Sequence, residues 1–333
     1  MKPIASFLET VHPAALTPET SNYLAMIILE QPEEGLLHEL SRLQPHSTYK
    51  IAVFERSSSD TIEQYIDLAR EINAPPIFLQ PKAPTLKELT AGSPSLSVNL
   101  ISPGSAGGSN DDLAAQLVAH HKTANLSWIG YQTYLTSPDL LAQLQARYFS
   151  SLRLGSYREN FKAAEPLIRS NSLNLIDFTA IRHCDAPECA GNGPNGLYAE
   201  EICQLARYIG VSSRLYACFL YGYPKKIKSS QMITSLIAQT LWHLFDSLST
   251  AQNEDPYSPE HQRLFTTKEV YIGDHDHILY FLHSDQTGRW WIRFEDPEGG
   301  YHYFPCMYEE YAMSLKGELP FTWLRHYQKI NRE

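Results

Sequence analysis

Apolar residues fall in two kinds of segment: short unbroken runs, and longer stretches where they recur every three or four positions. Residues 23–30 (YLAMIILE) and 50–55 (KIAVFE) are unbroken runs, the pattern of strands buried on both faces. Between them Leu36, Leu37, Leu40 and Leu43 form one helical stripe over 34–43. Ser59-Asp60 predicts an N-cap, after which Ile62, Tyr65, Ile66, Ala69 and Ile72 keep helical spacing as far as Ala74-Pro75-Pro76. Residues 77–79 and 97–101 give two more strands. Asp111 or Asp112 is positioned to cap a helix through Leu113, Leu117 and His121. The pattern continues with a strand over 126–134, a helix over 140–149, a strand over 151–154 and a helix over 158–168. Leu173, Leu175 and Ile176 then end on Asp177, as a buried parallel strand delivers a carboxylate to its C-terminal end. Beyond a Pro/Gly/Asn loop come a helix over 200–209 closed by Gly210 as a C′ glycine, a strand over 215–221, and a long helix over 230–248. Such alternation predicts a parallel sheet covered by helices.

The pattern changes at 251–261 (AQNEDPYSPEH), a polar linker-like stretch. Segments 269–272, 278–283 and 289–294 alternate β-formers with polar residues, with a hairpin turn at Asp285-Gln286-Thr287-Gly288, before a helix near 308–315. The expected division is an α/β domain over 1–250, shortened in its N-terminal part, and a β-hairpin and helix appendage over 251–333 packed on it.

A net charge of −10 argues against nucleic acid and anionic membranes as partners, since both demand a basic face. No apolar run reaches the roughly 20 residues that span a bilayer, and the first 16 residues lack the layout of a secretion signal. The expected location is cytoplasmic. Five irregularly spaced cysteines suit reduced thiols better than a disulfide framework.

Several constellations have chemistry in reach. His183-Cys184-Asp185 with Cys189 suggests zinc, but no second pair stands at ligand spacing, which favours loop residues. Gly107-Gly108-Ser109 lacks the spacing of a phosphate loop. His120 and His121 are expected on different helix faces, a poor chelating geometry. In Gly273-Asp274-His275-Asp276-His277 alternate residues share one side of an extended segment, yet a polar turn explains them as well. The tail is rich in large rings, among them Trp290, Trp291, Tyr303, Phe304, Tyr311 and Trp323. They serve either to staple the tail to the main domain or to bind a protein.

A series of short motifs runs in order from Ile129 onward: Gly130-Tyr131-Gln132-Thr133-Tyr134, Arg153-Leu154-Gly155, Asp177 with Ala180-Ile181-Arg182, and Asp185-Ala186-Pro187. Asn195-Gly196-Leu197 with Glu200-Glu201, Gly288-Arg289-Trp290-Trp291 and Pro305-Cys306-Met307-Tyr308 follow. Over roughly 200 residues this series resembles the ureohydrolases (arginase, agmatinase, formimidoylglutamase). The resemblance implies a three-layer α/β/α arginase-like fold with a mostly parallel central sheet, and in active members two Mn²⁺ ions at its C-terminal edge. Their ligands would follow the strands 77–79 and 98–101 and surround Asp177. Gln80-Pro81-Lys82 and Ser102-Pro103-Gly104-Ser105 stand at the first two places. At the third, Thr179 and Arg182 replace two aspartates, so that Asp177 alone is retained.

The same resemblance gives a substrate-like pocket of Asp177, Thr179, Arg182, Asn195 and Glu201, with Glu201 at the position that grips a guanidinium-like group. Glu201 is equally explained as a first-turn carboxylate, and Asp177 as a structural aspartate hydrogen-bonded to loop amides or paired with Arg182. The sequence leaves open whether Lys82 and Arg182 fill the place of the two metal ions, where two cations would keep Asp177 and Glu201 electrostatically satisfied. The leading expectation is therefore a ureohydrolase-like pseudoenzyme without cofactor or confident catalytic residue. It would bind or regulate an unidentified protein or small ligand, with homo-oligomers possible. The competing expectation is a Mn-dependent hydrolase of linear C–N bonds such as formimidoylglutamase. A third is metal-free chemistry by Glu201 with a low-pKa cysteine.

Overall fold

The computed structural model describes residues 7–11, 22–91, 93, 95–105, 112–228, 231–273, 277–296 and 298–330. The candidates Gly107-Gly108-Ser109, Asp111 and 274–276 lie outside the described residues.

Nine strands form one sheet: β1 (Leu8–Thr10), β2 (Ala25–Leu29), β3 (Ile51–Glu55), β4 (Pro76–Leu79), β5 (Leu96–Ile101), β6 (Thr123–Tyr131), β7 (Ser150–Arg153), β8 (Leu173–Asp177) and β9 (Ala217–Tyr221). Their order is β1-β3-β2-β4-β9-β8-β5-β6-β7, and every pairing is parallel. Successive side chains point to opposite faces, and both faces are covered, so the strands are apolar throughout. In β2, Ala25, Ile27 and Leu29 enter one core and Met26 and Ile28 the other.

The first core is closed by α1 (Glu34–Ser41), α6 (Leu154–Glu159), α7 (Ala164–Arg169), α8 (Ala199–Gly210) and α9 (Met232–Ser249). The second is closed by α2 (Ile62–Ile72), α3 (Leu86–Thr90), α4 (Leu113–Ala119) and α5 (Pro138–Ala146). Three layers result. A buried amide network crosses the middle of the sheet: Asn99 donates to Asn174 at 2.8 Å, and Asn171 donates to Asn99 at 2.8 Å and to Ser127 at 2.9 Å. Buried amides are costly unless paired, so this network fixes the register of β5 against β8.

A second, antiparallel sheet comprises β10 (Phe265–Ile272), β11 (His277–Ser284), β12 (Trp290–Glu295) and β13 (Tyr301–Cys306), in that order, followed by α10 (Tyr308–Ser314) and α11 (Phe321–Ile330). It has its own core of Val270, Ile272, Leu279, Phe281, Ile292 and Cys306, against which Trp290, Tyr311 and Trp323 pack. Rings therefore fill the tail's own core and fasten it to the main layer. Trp290 stacks on Tyr311 at 4.7 Å within the tail, while Trp291 lies 4.2 Å from the Arg169 guanidinium of the main layer. No helix among the described residues is long and apolar enough to cross a membrane.

Several local expectations change. Thr61, not Asp60, caps α2 through a reciprocal pair with Gln64, while Asp60 accepts from Ser57 N–H and the Tyr65 hydroxyl. The helix expected over 158–168 breaks at Asn160, whose φ of −148° leaves the helical region, into α6, a 3₁₀ turn and α7. The strand expected over 126–134 runs instead from Thr123 to Tyr131. His120 and His121 lie past the end of α4, with rings 4.8 Å apart, rather than on separate faces of a helix. The short β1 and α3, and β13, carry too little periodicity to stand out, while α11 is absent from the predicted elements although Trp323, Leu324, Tyr327 and Ile330 recur at helical spacing. Nor is Gly210 a left-handed stop. It is the last residue of α8, with Val211 as C-cap, and a Cβ there would collide with Ser247 Oγ and the Leu244 carbonyl of α9. The glycine is required by helix–helix approach. Gly210→Ala is expected to cost about 1–3 kcal/mol by overpacking, read by urea denaturation, whereas a neutral result would mean that the helices have room to separate.

Candidate functional site

In an all-parallel sheet every strand releases its chain at the same edge, so the turns after β4, β5, β6, β8 and β9 gather there. Asp177 ends β8 at this edge. Its Oδ1 accepts two hydrogen bonds from Thr179, from the backbone N–H at 2.9 Å and from the hydroxyl at 2.7 Å. Gly222, just past β9, approaches so closely that a Cβ would collide with this oxygen, and its φ of +83° independently favours glycine. Burial outweighs the two Thr179 bonds and pushes the carboxyl up from 3.8 to about 6.

Neither Lys82 nor Arg182 acts on this carboxyl. Arg182 Nε donates to Asp185 Oδ2 at 2.8 Å, and its guanidinium lies 4.0 Å from the centre of the Tyr198 ring. Lys82 is exposed; its backbone carbonyl accepts from the Gln80 side chain at 3.1 Å. No cation is among the groups that set the Asp177 carboxyl. The open question of cations in place of the metal ions is thus answered at Asp177, which pairs with neither Lys82 nor Arg182. Its counterpart is the Thr179 side chain.

Glu201 belongs to a different cluster. Its Oε2 accepts from Tyr198 N–H at 2.7 Å, satisfying a donor at the open end of α8. Arg158 Nε reaches Glu201 Oε1 at 3.2 Å, Arg158 Nη2 donates to the Gly196 carbonyl at 2.6 Å, and the Arg158 guanidinium also lies 4.0 Å from the Tyr198 ring centre. Tyr198 thus holds two guanidiniums. Asp185, besides Arg182, accepts from Ala199 N–H at 2.9 Å. Asn195 is exposed, and its carbonyl accepts from the Gln132 side chain at 3.4 Å. Gly196 is required because Ile181 and Leu197 pair as an isolated parallel bridge, leaving 2.6 Å between the Ala180 carbonyl and any Cβ at 196.

The five candidates therefore split into two groups. Asp177 and Thr179 share hydrogen bonds at the centre of the edge, while Arg182, Asn195 and Glu201 belong to the turn around Tyr198. Beside that turn is an open pocket of about 390 Å³, walled by Tyr131, Gln132, Thr133, Arg153, Arg158 and Asn195. Arg158 and Tyr198 were not signalled by local spacing, since Arg158 meets Glu201 across 43 residues. Another unsignalled group is Glu33, a buried carboxyl pushed up to about 7 by burial, against the lowering effect of its bond from Gln31.

No family profile matches the chain, and no curated protein sequence does. Solved structures do match. Formimidoylglutamase from Bacillus subtilis superposes with a TM-score of 0.59 at 13% identity, over 74% of this chain and 91% of that one. Trypanosoma cruzi formiminoglutamase with Mn²⁺ gives 0.58 at 12% identity, over 72% and 97%. Arginase from Bacillus cereus gives 0.53 at 11%, over 69% and 99%. The chain has the ureohydrolase fold.

On this fold, the turns that the resemblance assigns to metal ligands bring one carboxylate, Asp177, and neither histidine nor further acid. Among the described residues no group of three His, Cys, Asp or Glu side chains is placed to hold a metal ion. Cys184 is exposed beside Asp185 and Cys189 is buried, pushed up to about 12 chiefly by burial. Cys203 is raised to about 11 on the same ground, the reverse of the activated thiol that metal-free chemistry with Glu201 requires.

A pH prediction follows from Asp177. With a folded pKa of about 6 against 3.8, the folded state holds the proton more tightly. Stability therefore falls as pH rises through that window, and the penalty is complete above pH 6, up to about 3 kcal/mol. Asp177→Asn should remove this slope and be at least as stable as wild type at pH 7. Denaturation at a series of pH values checks it; a loss above about 2 kcal/mol at pH 7 would contradict a half-buried carboxyl held without a cation.

Proposed function

We propose that this ureohydrolase-fold protein acts by binding, not by hydrolysis at a dinuclear manganese centre. The carrying observation is that both carboxylates of the inherited pattern are engaged within the chain. Asp177 Oδ1 is taken by Thr179, and Glu201 by Arg158 and by the N-terminus of its own helix.

The donor set does not fit two Mn²⁺ ions. Hard divalent cations about 3.5–4 Å apart need several carboxylates to balance their charge and hold a bridging hydroxide. The three turns offer Gln80, Ser102 and Asp177 with Thr179. A hydroxyl that donates to the remaining carboxylate replaces what would have been a second anionic ligand, so no catalytic step through a metal is drawn for this chain.

The pocket beside Tyr198 is the surface this reading uses. Arg153 Nε spends one donor on Ser156 Oγ at 3.1 Å, and with Gln132, Thr133 and Asn195 it lines an open, polar wall suited to a small hydrogen-bonding ligand or a partner's loop. Assembly into homo-oligomers and residence in the cytoplasm belong to the same reading.

The alternative, a Mn-dependent hydrolase of linear C–N bonds, is favoured by one observation: formiminoglutamases are among the structural neighbours, one of them carrying Mn²⁺. The two readings separate in one assay. Purified protein preincubated with excess Mn²⁺ should release neither ammonia from formiminoglutamate nor urea from arginine or agmatine above a protein-free control. Turnover that depends on Mn²⁺ and disappears in Asp177→Asn would replace the binding reading with the hydrolase.

A further inference from the structure

The opposite edge of the large sheet carries a second enclosed space. A pocket of about 350 Å³ lies where the C-terminus of α7, the loop before β9 and the 253–257 segment meet β12 and β13. This volume is in the range of small-molecule sites.

Arg169 lines it and is only 3% exposed. Two of its nitrogens are used: Nε donates to Glu165 Oε1 at 2.8 Å, and Nη2 to Glu165 Oε2 and to the Trp290 carbonyl, both at 3.2 Å. Nη1 is buried with no hydrogen-bond partner. A buried guanidinium donor left unpaired is costly, which calls for an acceptor from outside the chain.

The charges here balance, Arg169, Arg214 and Arg289 against Glu165, Glu254 and Asp255, so the unpaired Nη1 and not net charge selects an acceptor. Glu165 is shared, since Arg289 also reaches it at 3.3 Å, so one carboxylate serves two guanidiniums. Glu254, on the wall, is already occupied by the Ser284 and Thr287 hydroxyls and by Arg289 at 3.7 Å. Asp255 directs Oδ1 to Tyr257 N–H at 3.1 Å. Arg214, exposed on the same wall, has no ion pair among the described residues. Three rings line it, Trp291 and Tyr257 edge-on to Tyr303 at 5.1 Å, beside Ser213, Asn253, Pro256 and Pro305.

We infer that this seam pocket binds a small organic carboxylate with a flat ring. The carboxylate would take Arg169 Nη1 and Arg214, and the ring would lie against Trp291 and the two tyrosines. This site is independent of the binding reading at the other edge.

Calorimetric titration of the full chain with benzoate, benzylamine and acetate tests it. Benzoate should bind saturably, with benzylamine (same ring, no anion) and acetate (same anion, no ring) each at least about tenfold weaker. Arg214→Gln, at an exposed position, should leave the ligand-free melting temperature unchanged and weaken benzoate about fivefold or more. Arg169→Lys, which keeps the charge and removes Nη1, should weaken it further; if that variant fails to fold, Arg214→Gln decides alone. Absence of saturable benzoate binding, equal binding of benzylamine, or indifference to Arg214→Gln would overturn the inference.

Discussion

A sheet whose strands all run the same way, buried on both faces, is the constraint on which the rest of this molecule depends. Burial on both faces makes the strands uniformly apolar and leaves their ends as the places for polar chemistry. It also sends every turn that follows a strand to a single edge, so Gln80, Ser102, Gln132, Asp177 and Gly222 are gathered by topology before any of them does anything. What this chain does at that edge is then a matter of which side chains it places there.

It places few anions and satisfies them internally. Asp177 takes a hydroxyl and an amide bond, both from Thr179. Burial raises its carboxyl above the ordinary value, against the two Thr179 bonds that lower it. Glu201 and Asp185 cap α8 while neutralising Arg158 and Arg182, and Tyr198 joins the two pairs through its ring. The same residue types that mark a substrate pocket in the resemblance thus hold a loop and a helix start together.

The fold was largely legible because its signals are local and repeated. Runs such as residues 23–30 and 50–55 announce strands buried on both faces, and the stripe from Ile62 to Ile72 announces α2. Elements with little periodicity escaped: the three residues of β1, and β13 with its internal Pro305. Gly210 was misread because a glycine at a helix end has two physical causes, a left-handed turn or a close neighbour, and only the packing of α9 distinguishes them. The site was legible in position but not in pairing. Asp177 stands at the strand end where its sequence places it, yet the partners of Glu201 and Arg182 depended on Arg158 and Tyr198, which no local spacing connects to them. The unpaired Arg169 nitrogen likewise becomes visible only once α7 and β12 are brought together.

The central proposal is that this edge does not hold a dinuclear metal centre. Metal content of the purified protein, measured by plasma mass spectrometry after incubation with excess Mn²⁺ and desalting, tests it most directly. The account predicts essentially no retained manganese, and the same for Asp177→Asn, because one carboxylate already engaged by Thr179 does not hold two hard cations. Retention of about two manganese per chain, lost in the Asp177→Asn variant, would contradict it and restore the hydrolase.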